Sequence, residues 1–518
     1  MKCRVFAAEV DVGWRPASCG RSFPFTLAGD YSRSHTARWI MPRRIPGVYF
    51  TIDRETETMR GLRFLSTAAG WVLMCWAAVA CADRPRLIVT TDIGGDPDDS
   101  QSMVRLLVHA NEFDIELLVA SASGTPGELK KNIVRPDLIR ERVEAYARVY
   151  PMLRKHDPGF PDPAMLLKRI AAGNPNRGVQ NLGEGCDTEA SRRIIEIVDR
   201  DDPRPVNIAI WGGSTDLAQA LWRVRHDRSA EELAAFLAKI RVHDIAHQDT
   251  TGEWINREFP SLFYILSRAP KGRDKREAVF RGMYLGGDME LTSLAWIDRH
   301  VRNDHGPLGA LYPPKTWTAP NPHGALKEGD TPSWFYFLPV GLSDPEHPDW
   351  GCWGGRFRPS ETNPRLWIDA QDRVGETTSA RATVWRWRPD FQNEFQARMD
   401  WCVQPPEACN HPPRAILEGD DGTAVLQRRV HAGEKVHLSA VGSRDPDGDR
   451  LEYRWWIYPE PSRYPKAAAV SIAQHDTEAE IDVPADAAGT TLHVVLEVRD
   501  DGRPPLVRYR RMILNITD

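Results

Sequence analysis

Four carboxylates fall within eight residues in the stretch Leu87-Ile-Val-Thr-Thr-Asp92-Ile-Gly-Gly-Asp96-Pro-Asp98-Asp99-Ser100. Like charges this close repel one another unless a cation or a set of donors offsets them. A hard divalent ion with oxygen ligands is the economical answer, and Ca²⁺ suits it because it accepts carboxylate, carbonyl and water ligands together. The plainer alternative is an acid-rich helix start, where Asp caps free N–H groups and complements the macrodipole. That accounts for Asp98 or Asp99 singly but not for all four. Two further segments carry the same ambiguity. In Gly212-Gly-Ser-Thr215-Asp216 a carbonyl or hydroxyl of Thr215 would reach a shared metal, or Thr215 or Asp216 would cap the next helix. In Lys327-Glu-Gly-Asp330-Thr-Pro-Ser333, Asp330 is either a distant metal ligand or the cap of a helix opened by Thr331-Pro332. The Asp445-Pro-Asp-Gly-Asp449 run reads first as a tight turn and only second as a Ca²⁺ loop.

The elements expected to hold these residues alternate between strand and helix. Leu87–Thr91, Ile115–Ala122, Val206–Trp211, Lys239–His243 and Ser261–Leu266 are apolar and strand-like. Between them Gln101–Ala110, Asp137–Val149, Thr188–Val198 and Leu217–Arg225 carry helical spacing. Strands alternating with helices predict βαβ units, a mainly parallel α/β sheet with flanking helices, and a ligand crevice at the carboxyl ends of the strands. Both the Asp92–Asp99 turn and the Gly212–Asp216 turn fall at such ends. From Gly282 to Phe357 the periodicity fades and Pro, Gly, Trp and His rise, which predicts long loops around a site. Trp385 to Met399 is helical or extended. After Pro405-Pro406 the pattern becomes short alternating runs: 415–417, 435–440, 451–456, 478–483, 492–499 and 512–516. Gly, Pro and Asp turns separate them, as in a β-sandwich.

A net charge of −5 and a pI near 6.3 give no electrostatic footprint for nucleic acid. Eighteen Trp residues, several in polar Gly/Pro-rich surroundings, suggest exposed aromatic faces that stack on sugars or bases, and the Trp-rich loop Trp334–Trp353 supports carbohydrate binding. Residues 59–82 have the form of a signal peptide. Arg60 and Arg63 precede an apolar stretch that ends in Ala80-Cys81-Ala82, and the stretch is too short to predict a stable membrane span. Cleavage after Ala82 is preferred to lipid attachment at Cys81, so the expected location is secreted or periplasmic. A signal peptide must begin a chain, so residues 1–58 read as a start-site artefact or a disordered extension. Export permits disulfides, and Cys402 and Cys409 are close enough to bridge a short loop, although the pairing stays open. The oligomeric state, including a homo-oligomer, also stays open.

The Asp92…Asp98-Asp99 turn, the Gly-Gly-Ser-Thr-Asp216 turn and Asp330 resemble the three metal-binding segments of the nucleoside hydrolase superfamily. A narrower resemblance rests on Thr91–Asp99, on Gly329-Asp-Thr-Pro-Ser333 and on Gly341-Leu-Ser-Asp-Pro-Glu-His-Pro-Asp-Trp-Gly-Cys-Trp-Gly-Gly355. It is to exported bacterial proteins described as cellulose-binding, in which a nucleoside-hydrolase-like domain (here 83–404) precedes an immunoglobulin-like β-sandwich (here 405–518). The resemblance implies Ca²⁺ held by Asp92, Asp99, Asp330 and the backbone carbonyl of Thr215. It also implies that Asp92 takes the proton of the attacking water and that Asp98 holds the sugar hydroxyls, with Asp249, Glu253 and Asn256 where further sugar contacts would be rebuilt. The implied activity is hydrolysis of an N- or O-glycosidic bond in a nucleoside or plant-wall-related glycoside. The alternative is a carbohydrate- or cellulose-binding protein that keeps the scaffold without the chemistry. The chain departs from the superfamily in four places. Five residues separate Asp92 from Asp98, two more than usual; Thr90 replaces an acid; Gly329 stands where a leaving-group His is common; and Gly124-Thr125 replaces the early Gly-Asn.

Overall fold

The computed structural model describes residues 84–123, 129, 132–315 and 324–518. The expected extension and signal peptide, and Gly124-Thr125, lie outside the described residues. Strand β1 (Arg86–Thr91) is buried along its whole length. Leu87 and Val89 pack into one hydrophobic cluster and Ile88 into another, because successive side chains of a strand point to opposite faces. A strand buried on both faces belongs in a sheet covered on both sides. The sheet has eight strands in the order β3-β2-β1-β4-β5-β6-β8-β7. They are β2 (Asp114–Ala120), β3 (Ile170–Ala172), β4 (Val206–Ile210), β5 (Ile240–Ile245), β6 (Phe263–Ser267), β7 (Phe357–Pro359) and β8 (Leu366–Asp369). All neighbours are parallel except the edge pair β7–β8.

Helices α1 (Asp98–Val108) and α2 (Pro136–His156) cover the Leu87 face. Helices α3 (Glu189–Asp199), α4 (Thr215–Asp227) and α5 (Thr250–Glu258) cover the Ile88 face. Strand order reverses between β1 and β4, which opens a crevice beyond their carboxyl ends. Two further helices bear on the site, the short α6 (Thr331–Phe335) and the longer α7 (Arg388–Asp400).

After a small hairpin of β9 (Asp372–Val374) and β10 (Thr377–Ser379), the chain forms two facing sheets. One holds β11 (Leu426–His431), β17 (Val507–Thr517), β16 (Thr491–Asp500) and β13 (Leu451–Tyr458). The other holds β12 (Lys435–Ser439), β15 (Glu478–Asp482) and β14 (Ile472–His475). Val436, Ile481, Leu492, Leu496 and Leu514 fill the space between them. This is the expected sandwich with two differences. Residues 415–417 make only isolated bridges, whereas β11 and β14, too polar to alternate clearly, are strands on sheet edges.

The sandwich is fused to the α/β half through a dense seam. Tyr458, Val495, Val507 and Tyr509 belong to the same hydrophobic cluster as the strands of the large sheet. The Tyr509 N–H donates to the Val340 carbonyl at 3.1 Å. Arg511 donates to the carbonyls of Trp350 and Gly351 at 2.6 and 3.0 Å. Fully buried Asp372 accepts from Arg356 at 2.7 Å, from Arg386 at 2.8 Å and from the Tyr458 hydroxyl.

This seam corrects one expectation. The Trp334–Trp353 segment is no exposed sugar platform, since Trp334 and Trp353 are completely buried and Trp350 nearly so. Its Gly and Pro residues allow close packing rather than open loops. Gly341 (φ +91°) passes so near β17 that a Cβ there would lie 1.8 Å from the Tyr509 carbonyl oxygen. Cys402 and Cys409 are free thiols, so the disulfide that their spacing allowed is not formed.

Candidate metal centre

The crevice between the carboxyl ends of β1 and β4 contains a cavity of about 370 Å³. Asp92, Asp96, Asp98, Asp99 and Asp330 line it together with Trp211, Ile245, Ala246, Gln248, Lys275, Phe280, Arg281 and Lys327. Asp92 leaves the end of β1, and Asp98 and Asp99 open α1. Gly212 follows β4, where a Cβ would meet the Asp92 carboxyl carbon at 2.6 Å. Only glycine lets that carboxylate lie across the strand end. On the far wall Ala246 has φ +80°, a left-handed conformation rare without glycine.

One carboxylate oxygen from each of Asp98, Asp99 and Asp330 falls within 4.8 Å of the others, so the three could share one ion. Asp99 is almost fully buried, with the Thr91 hydroxyl donating to it. Burial, and then the charges of Asp92, Asp330 and Asp98, hold its carboxyl well above the ordinary range, against the pull of Thr91. An all-oxygen set of this kind fits a hard divalent cation.

The chain also brings a cation of its own. The Lys327 ammonium pairs with Asp96 and lies 3.3 Å from Asp98. Burial draws it down to about 8, against the opposing charges of Asp330 and Asp92. Its backbone is pinned from α1, because the Gln101 Oε1 accepts from the Lys327 N–H at 2.8 Å and the Glu328 N–H at 3.2 Å. One turn on, Arg105 grips Glu328 in a fully buried pair, and Tyr312 and Thr331 donate to the same carboxylate at 2.7 and 2.9 Å. The helix that carries Asp98 and Asp99 therefore also positions the segment that carries Lys327 and Asp330. Trp211 completes the frame: its Nε1–H donates to Ser333 at 2.9 Å, and Ser333 donates to the Asp330 carbonyl at 2.6 Å.

Not every residue singled out in the sequence comes here. Thr215 does not line the cavity. Its hydroxyl donates to Asp249 at 2.9 Å and accepts from the Gly178 N–H, and its backbone starts α4. Asp249 caps α5 through the Thr251 N–H and joins Ser214 and Thr251 in the same polar network beside the cleft. Glu253 is exposed and faces Arg268 at 3.5 Å, and Asn256 bonds the His247 ring at 2.9 Å. In the sandwich, oxygens of Asp445, Asp447 and Asp449 also lie within 4.8 Å of one another, but Asp447 accepts from His411 and Asp445 accepts from two N–H groups of its own turn.

Sequence reasoning missed Lys327, Arg105, Gln101 and Arg281. For Gln101 and Arg105 a signal exists, since they are polar residues four apart on the face of α1 that the apolar pattern assigns to the core. No described helix is long and apolar enough to cross a membrane.

Comparison with known proteins agrees with this architecture. The family described as cellulose-binding Sde182, nucleoside hydrolase-like domain, matches residues 86–357. The C-terminal domain of cellulose-binding protein Sde0182 matches residues 435–516. A solved nucleoside hydrolase-related protein from Saccharophagus degradans, described as associated with carbohydrate metabolism, is 36% identical. It aligns over 84% of this chain and all of its own, with a TM-score of 0.71. The effector protein XOO4466 aligns far more loosely, at 12% identity and a TM-score of 0.34 over 66% of this chain and all of its own. No curated protein matches. With more than half of its length matched by that family and a solved relative over a third identical, the chain belongs to the cellulose-binding Sde182 family of nucleoside hydrolase-like proteins.

Proposed function

We propose that this protein is an exported, Ca²⁺-dependent hydrolase of glycosidic bonds. The observation that carries the reading is the set of five carboxylates lining one cavity at the switch point of the sheet, with Asp99 buried and uncompensated. Asp98, Asp99 and Asp330 would hold the ion, and Asp92 would stand at its edge. Ca²⁺ bound there supplies a polarised, more acidic water. Asp92 would serve as the general base, accepting a proton from a water that attacks the anomeric carbon. The net negative charge of the carboxylate cluster would favour the positive charge that builds on the sugar as the bond breaks. Trp211 and Phe280 wall the cavity and limit bulk water. The family's cellulose-binding description makes a plant-wall glycoside the preferred substrate, with nucleosides second. Export rests on the 59–82 segment.

One observation favours a second reading, in which the scaffold binds carbohydrate without cleaving it. Lys327 already neutralises part of the cluster, and Gly329 offers no side chain to protonate a leaving group. Turnover of nucleosides and of plant-wall oligosaccharides, measured with Ca²⁺, separates the two. Hydrolysis by the native protein that is lost in Asp92→Asn and Asp99→Ala supports the hydrolase. Retention on insoluble cellulose with no turnover of either class supports the binding protein.

A further inference from the structure

Three cations, Lys275, Arg281 and Lys327, line the cavity together with the five carboxylates. Lys327 is spent on Asp96 and Asp98. Lys275 and Arg281 are not spent in this way, since neither has an ion pair with a carboxylate among the described residues. Arg281 lies over the Phe280 ring at 4.8 Å and donates to the Tyr284 hydroxyl, and its buried Nε–H has no acceptor. The acids nearest in sequence are engaged elsewhere. Asp274 accepts from the Arg276 N–H at 2.9 Å, and Glu277 pairs with Arg381 at 3.0 Å. The loop they belong to adds Lys271, Arg273 and Arg276, all exposed. The carboxylates suit a cation and sugar hydroxyls, whereas Lys275 and Arg281 are donors without an ion-paired carboxylate among the described residues, Arg281 beside the Phe280 ring.

We infer that the site is built for a glycoside bearing an anionic substituent, a carboxylate or a phosphate, which Lys275 and Arg281 receive while the sugar hydroxyls face the carboxylates. This rests on the proposed function and narrows its substrate class. A neutral glycan would offer the Arg281 guanidinium only hydroxyl acceptors, whereas an anion would give it a charge-assisted partner. Flat guanidinium geometry suits either anion, so the source is left to experiment.

Calorimetric titration of the full chain with two matched pairs tests it: tetragalacturonate against cellotetraose, and ribose 5-phosphate against ribose. The expected result is binding of at least one anionic member on the order of tenfold tighter than its neutral partner, weakening as salt is raised. A preference for tetragalacturonate alone identifies a carboxylate, and one for ribose 5-phosphate alone a phosphate. Lys275→Glu, a change at an exposed position, and Arg281→Gln are each expected to reduce the preference several-fold. Equal binding within both pairs, or a preference that survives both substitutions, overturns this inference and leaves the hydrolase reading standing. Failure of all four ligands to bind overturns both.

Discussion

At the seam between the two halves, Asp372 meets two guanidinium groups and a tyrosine hydroxyl; in the cleft, Asp99 meets three more carboxylates. Both residues are buried, so burial alone raises both. At the seam Arg356 and Arg386 more than reverse that effect, and Asp372 ends below its ordinary value. Glu394 follows it: burial raises it, but Arg508 and Arg398 bring it far down. In the cleft nothing comparable intervenes, and Asp99 ends well above. The seam matches Asp372 and Glu394 with guanidinium groups, whereas in the cleft Asp99 lies among like charges that Lys327 offsets at Asp96 and Asp98. A buried carboxylate matched by guanidinium groups is costly to break, whereas one raised by like charges in a cleft marks a candidate functional site.

That contrast can be broken at several points. The largest effect belongs to Asp372→Ala, which strands two buried guanidinium groups. A loss of about 3–5 kcal/mol in urea unfolding is expected, and a loss below about 1 kcal/mol would mean that the seam is not matched as described. Acid should act in the same direction without any mutation. Asp372 and Glu394 sit below their unfolded values of 3.8 and 4.5, so the unfolded chain takes up protons first. Their stabilisation is present above about pH 4.5 and falls as pH drops through the folded values, which thermal melts between pH 6 and pH 2 would follow. Gly341→Ala sets a methyl group against the Tyr509 carbonyl in a left-handed backbone and should lower stability by roughly 1–3 kcal/mol. Asp99→Asn should do the opposite in metal-free buffer. It removes a buried charge from among like charges, so a gain of about 1 kcal/mol is expected; a loss would mean that the cleft is already balanced. Smallest of all, Lys466→Ala breaks an exposed pair with Asp486 and should leave the melting midpoint where it was.

Much of this was legible in the residues. The strands from Leu87, Ile115, Val206, Lys239 and Ser261 declare themselves as apolar runs, and the acid turn after β1 falls at a strand end where a ligand site is expected. Asp330, more than two hundred residues from Asp99, was found by resemblance and by its Thr-Pro neighbours rather than by any period. What could not be read was pairing across distance. Lys327 enters the cleft because Gln101 and Arg105 pin its segment to α1, a fact of tertiary packing. The Trp-rich stretch looked exposed because its Gly and Pro residues resemble loop composition. The burying partner, β17, lies some 160 residues downstream, beyond any local pattern.

The central claim is that Asp98, Asp99 and Asp330 hold one divalent ion. Calorimetric titration of Ca²⁺ into the metal-stripped full chain tests it most directly, with Asp99→Asn and Asp330→Asn alongside. The account predicts one site in the native protein that disappears in both variants, while Asp447→Asn in the sandwich turn leaves it intact. No heat of Ca²⁺ binding in the native chain, or binding that persists in both cleft variants, would contradict it.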